Sequence, residues 1–114
     1  MPETNSIIKR AITDDGSARV FFIDSTAIVR RSCEIHHTSK TMTAVLGRTL
    51  TATSLMGTLL KDRDNSLTLQ LRGDGPLGAI TTVSDSNGNV RGYLQNPAAV
   101  LPLRADGHLN VGAG

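Results

Sequence analysis

The stretch TSKTMTAVLGRTLTATSLMGTLLKD, residues 38–62, constrains the fold more than any other part of this chain. Met42, Val45, Leu46, Thr49, Thr53, Met56 and Leu60 recur at threes and fours, with Leu50 and Leu59 beside them. That is the period of a helix with one buried side. The spacing predicts a helix from Thr38 to Asp62, capped by Thr38 or Ser39 and about 30–35 Å long at roughly 1.5 Å per residue. Its intrinsic propensity is poor, because threonine recurs throughout and Gly47 and Gly57 sit inside it. Alone in water such a helix barely forms. Another element must press on it, and Gly47, Ala52 and Gly57 suit the close approach of a second backbone. Threonines on the stripe can face a core if each hydroxyl bonds the carbonyl one turn earlier.

The rest of the chain supplies strands for that contact. SIIKRAIT (Ser6–Thr13) and ARVFFID (Ala18–Asp24) are rich in β-branched and aromatic residues, and Asp15-Gly16 between them predicts a hairpin turn. A short helix follows, with Asp24 or Ser25 at its start and Ile28, Ser32 and Ile35 on one side, Val29 beside them. SLTLQLR alternates cleanly, with Leu67, Leu69 and Leu71 on one face. LGAITTVSD and NVRGYLQN read as two more strands joined at Asn87-Gly88, a strong two-residue hairpin signal. Pro97 and Pro102 predict an irregular connection thereafter, with a turn at Asp106-Gly107. The expected fold is α/β of the α+β type: a mixed or antiparallel sheet of hairpins, a short helix, and one long helix packed on it.

Composition narrows the function. The 114 residues make a single domain or part of one, with two Phe, one Tyr and no Trp, so the core is aliphatic. Net charge is +2 and the basic residues are scattered; without a basic stripe and interleaved aromatics, no nucleic-acid partner is expected. No run approaches the ~20 apolar residues of a membrane span, and no signal peptide is visible. One cysteine, Cys33, precludes an internal disulfide and fits a reducing, cytoplasmic setting.

Chemical motifs are weak. QLRGDGPLGAI, residues 70–80, resembles a phosphate-binding glycine loop, and a small-ligand or anion-binding domain built on the Gly73–Gly78 turn is the alternative reading of function. Such a loop needs a helix directly after it, and the residues here are strand-like. The embedded Arg72-Gly73-Asp74 lacks any other extracellular feature. His36 and His37 point about 100° apart on a helix and would rarely share a metal. Cys33 has no orienting third group and reads as a partly buried small apolar residue. Met42 and Met56 belong to the helix stripe, and no enzyme emerges from the residues.

Taken in order, RAITDDGSARVFFIDST, RRSCEIHHTSKT, TMTAVLGRTLTATSLMGTLLK, LTLQLRGDGPLGAI, GNVRGYLQNP and LPLRADGHLNVG resemble the heat shock protein 33 family of redox-regulated chaperones, from about Ile7 to Val111. The resemblance implies a cytoplasmic, homodimeric, ATP-independent holdase that binds unfolding proteins under oxidative stress. It also implies a C-terminal domain that holds zinc through four cysteines and serves as the redox switch. None of those cysteines is present here, so residues 1–114 are expected to be the N-terminal part of the chaperone core domain, with no cofactor of their own. Phe21, Ile80 and Tyr93, apolar residues on otherwise polar or mixed strand faces, are the expected client or lid surface. An incomplete sheet has open edges, so dimerisation or strand exchange, or a low melting temperature, is expected of the chain by itself.

Overall fold

A computed structural model describes residues 6–114. The order of elements is β1 (Ile7–Ile12), β2 (Arg19–Asp24), α1 (Thr26–His36), α2 (Lys40–Gly57), β3 (Ser66–Arg72), β4 (Ala79–Asp85) and β5 (Val90–Leu94). The hairpins do not merge into one sheet. β1 and β2 form a separate antiparallel ribbon, while β3, β4 and β5 form a three-stranded antiparallel sheet with β4 in the middle. α2 lies across the three-stranded sheet and touches all of its strands, with α1 packed beside it.

The core sits between α2 and that sheet. Met42, Val45, Leu46 and Leu50 of the helix meet Leu77, Ile80 and Leu94, and Leu101 and Val111 of the irregular C-terminal stretch pack against the cluster. Ser39 fixes the start of α2. Its hydroxyl accepts from Met42 N and donates to the Ala99 carbonyl at 2.5 Å. The same residue therefore caps the helix and ties the C-terminal stretch to it. At the start of α1 the cap is Asp24 instead: its Oδ1 accepts from the Thr26 amide and hydroxyl, whereas the Ser25 hydroxyl bonds Thr51 on α2. These bonds, Thr26 hydroxyl foremost, hold the Asp24 carboxyl below its ordinary pKa.

Below Leu50 the helix–sheet contact changes character. Thr49 and Thr53 donate to the carbonyls of Val45 and Thr49, so both hydroxyls enter the core satisfied. Thr53 then meets Thr82 of β4 at 2.7 Å, with both residues fully buried. The single proton of Thr53 is already directed at Thr49, which leaves Thr82 as the donor. The next residue, Ser54, donates to the Gly88 carbonyl at 2.6 Å. Gly57 rests directly on β4: a Cβ there would collide with Ser84 Oγ and lie 2.6 Å from the Asp85 carbonyl oxygen. Gly47 is also buried, with a Cβ position 3.0 Å from the methyls of Val29 on α1. Ala52, by contrast, is exposed.

The helix ends at Gly57, not Asp62. Leu59 N and Leu60 N bond back only three residues, to Met56 and Gly57. The chain tightens there because it must turn away from the sheet and return as β3. Both predicted hairpin turns are present, but longer than two residues: residues 14–17 lie inside the Thr13–Ala18 bond and residues 86–88 inside the Asp85–Asn89 bond. Gly16 and Gly88 take φ of +73° and +82°. Each loop is organised by a carboxylate rather than by the Gly alone. Asp85 accepts from the amides of Asn87 and Asn89 and from the Asn89 side chain. Asp15 accepts from Ser17 N and the hydroxyls of Thr13 and Ser17. With the Ser17 amide contributing most, this lowers the Asp15 pKa to about 2.

Two outcomes follow from this interface. Gly57→Ala, which gains helix propensity, should nonetheless lower stability by about 1–3 kcal/mol through overpacking, read as a lower urea midpoint. Thr53→Val should cost more than Thr82→Val, because it strands the Thr82 hydroxyl at about 1–3 kcal/mol, and the double variant should recover most of the difference.

Candidate interaction surface

The β1–β2 ribbon has two faces, and only one of them is covered, in part, around Ile8, Phe21 and Ile23. Register pairs Ile8 with Ile23, Arg10 with Phe21 and Ile12 with Arg19 on the inner face. Ile8 and Ile23 are half-buried there, with Ile8 packed near the Gly88 loop. The outer face carries Ile7, Lys9 and Ala11 opposite Asp24, Phe22 and Val20. All are exposed, Phe22 at 62 % and Val20 at 58 %. A two-stranded ribbon cannot bury both sides, so its outer apolar residues stay bare unless something covers them.

A second apolar surface lies between α1 and β5. A groove of about 630 Å³ is lined by Ile28 and Ile35 of α1, Val83 of β4, and Val90 and Tyr93 of β5. Ile35 and Tyr93 are half exposed, at 53 % and 55 %. β5 is an edge strand. Gln95 N bonds Ala79 O and Asp85 N bonds Asn89 O, so the odd-numbered positions of β5 face β4. The backbone groups of Val90, Gly92 and Leu94 therefore point outward along the free edge.

The three residues expected from sequence to form one client surface do not come together. Tyr93 is exposed and lines the α1–β5 groove. Phe21 is half-buried on the inner ribbon face, in a different groove. Ile80 is 3 % exposed and belongs to the core. It shares its strand face with Thr82 and Ser84, and the polar look of that face misleads: it is the face that meets α2, where the Thr82 hydroxyl bonds Thr53 and the Ser84 hydroxyl donates to the Asp85 carbonyl. The exposed aromatic that sequence reading passed over is Phe22. Its signal was the run Val20-Phe21-Phe22-Ile23, which places apolar residues on both faces of one strand.

The Gly73–Gly78 turn does not form an anion site. β4 begins at Ala79, so no helix N-terminus faces the loop. The amides nearest β4 are occupied: Leu77 N bonds Gly114 O, Gly78 N bonds Gly75 O, and Ala79 N, just past the turn, bonds Gln95 Oε1 at 3.0 Å. The turn serves to bring the C-terminal stretch against the sheet, and the ligand-loop reading is set aside. At the end of α1, His37 takes left-handed φ of +51° and its amide bonds Cys33 O. Cys33 is half-buried, and its Sγ accepts from the Thr43 hydroxyl at 3.7 Å. Among the described residues no three His, Cys, Asp or Glu converge to hold a metal, and no helix is long and apolar enough to cross a membrane.

This geometry defines an α+β domain whose prominent features are bare apolar surfaces on a two-stranded ribbon and along a sheet edge. The Hsp33 protein family model matches residues 6–114, and the chain belongs to that family. The 33 kDa chaperonin of Ruminiclostridium cellulolyticum is 47 % identical over 104 residues, covering 91 % of this chain and 36 % of that protein. A 33 kDa chaperonin of Thermus thermophilus is 43 % identical over 92 % of this chain and 31 % of its own length. A crystal structure of the 33 kDa chaperonin (heat shock protein 33 homolog) from Thermotoga maritima superposes with a TM-score of 0.85 at 29 % identity, over 94 % of this chain and 37 % of that one. The chain thus spans about a third of the length of the curated relatives it matches.

The two kinds of position separate cleanly by mutation. Ile80→Ala should cost about 2–5 kcal/mol in urea unfolding, as a core truncation. Phe22→Ser should change stability by about 0.5 kcal/mol or less and reduce binding of a hydrophobic dye.

Proposed function

We propose that this chain is the scaffold portion of a redox-regulated, ATP-independent holdase, which binds unfolding proteins under oxidative stress and makes or breaks no bond. The single observation that carries the reading is the outer ribbon face, where Ile7, Val20 and Phe22 stand exposed together on a folded domain. Burying apolar area against an unfolding chain yields about 25 cal/mol per Å², before association costs are subtracted. No nucleotide is needed for that exchange of surface for water. Family membership and the names of the relatives support the chaperone reading.

The regulatory part of the proposal lies outside this chain. A four-thiolate zinc site does not fit the residues present, since Cys33 is the sole cysteine and sits among the apolar and hydroxyl groups of α1 and α2. No step is assigned to zinc here. Unfolded clients are the proposed partners, in a cytoplasmic setting, and a homodimer is the proposed assembly, for which the free β5 edge supplies a route. Neither nucleic acid nor membrane is a proposed partner.

Light scattering by a heat-denatured client tests the reading. The chain should suppress aggregation near stoichiometric ratio with no response to added ATP, and Val20→Ser/Phe22→Ser should lose about half of the suppression or more. Absence of suppression by a folded, unsubstituted chain would remove the proposal.

A further inference from the structure

The inner face of the ribbon overhangs the end of α2, and a second groove of about 340 Å³ opens between them. Its apolar lining is Ala11, Ile12 and Phe21 of the ribbon and Leu59 beyond the helix. Arg10 and Arg19 line it too, on different strands: Arg10 stands opposite Phe21, and Arg19 opposite Ile12. The two guanidinium groups are thus diagonal neighbours on one face, each beside an apolar side chain. Among the described residues no carboxylate lines the groove, and neither arginine has an ion-pair or hydrogen-bond partner. Asp15, in the nearby turn, is taken up by Thr13 and Ser17. Two arginines at diagonal positions beside an apolar floor give the groove a positive potential.

We infer that this groove binds an extended polypeptide segment in which apolar side chains flank a carboxylate. In an extended segment every second residue points the same way, so the sequence entering the groove reads apolar, any residue, Asp or Glu, any residue, apolar. The apolar side chains rest on Phe21, Ile12 and Leu59, and the carboxylate lies between Arg10 and Arg19, where a guanidinium fork gives paired hydrogen bonds. The inference rests on the proposed client-binding function and adds a preference to it. The outer face around Phe22 takes apolar segments with little regard to charge, while the inner groove selects acidic ones.

Fluorescence anisotropy with the whole chain tests it. The probe is a labelled peptide repeating Leu-Ser-Glu-Ser-Leu, compared with versions carrying Gln or Lys in place of Glu. At low salt the Glu peptide should bind about tenfold tighter than the Lys peptide, and the gap should close near 1 M salt, where the screening length falls to about 3 Å. Arg10→Gln/Arg19→Gln should abolish the difference between the Glu and Gln peptides, while suppression of client aggregation through the outer face persists. Equal binding of all three peptides, with client suppression intact, overturns the groove's preference and leaves the holdase reading standing. A preference that survives the double Gln variant also overturns it, because the charge is then read elsewhere. A short thymidine oligonucleotide that displaces the Glu peptide more strongly than the Gln peptide does would assign the arginines to phosphate instead. If neither peptide binding nor client suppression is seen, both readings fall together.

Discussion

The close approach of α2 to β4 is the contact on which the rest of the structure depends. Gly57 lies against Ser84 and Asp85, and Thr53 is bonded to Thr82 in the dry interior. Neither half of this interface is a conventional apolar contact. It works because each hydroxyl that enters the core already has an acceptor, through the carbonyl one turn back or across to the sheet. The helix cannot slide along the sheet without stranding one of those groups, so the interface fixes register more firmly than a layer of leucines would. Ser54 and the Gly88 carbonyl extend the same lock to the β4–β5 loop.

That lock determines where the apolar surfaces fall. With α2 committed to the three-stranded sheet, the β1–β2 ribbon meets only part of the helix and the Gly88 loop. Its outer face remains bare, and its inner face continues past the helix end to form the arginine-lined groove. β5 is left at the sheet edge with α1 standing beside it. A domain of this size could have buried Ile7, Val20 and Phe22 by folding the ribbon into the sheet. Exposed apolar groups that survive folding are a liability unless they serve contact with something else, and in this family member they lie on an element that carries little of the core.

Much of the fold was legible from local pattern. The period of α2, the alternation of SLTLQLR and the Asp-Gly and Asn-Gly corners all led to the observed elements, because each depends on residues within one turn or one hairpin. The surface residues were less legible. Whether Phe21 or Phe22 faces outward depends on which side of the ribbon meets the loop at Gly88, and no local pattern carries that information. Ile80 was misplaced for the same reason: its neighbours Thr82 and Ser84 look solvent-facing until the threonines of α2 are brought opposite them. The end of α2 was overrun because Leu60 keeps the helical period after the backbone has already turned.

By itself, the sequence determined the number and kind of elements, the need for a partner against the threonine-rich helix, and the family to which the chain belongs. It did so because propensity, periodicity and turn chemistry act over a few residues. Only the tertiary structure decided that the hairpins divide into a ribbon and a sheet, that a threonine face is a core face, and that Phe22 rather than Ile80 meets solvent. Those outcomes depend on which surfaces lie opposite one another, and a hydroxyl counts as polar or as core only once its partner across the gap is in place.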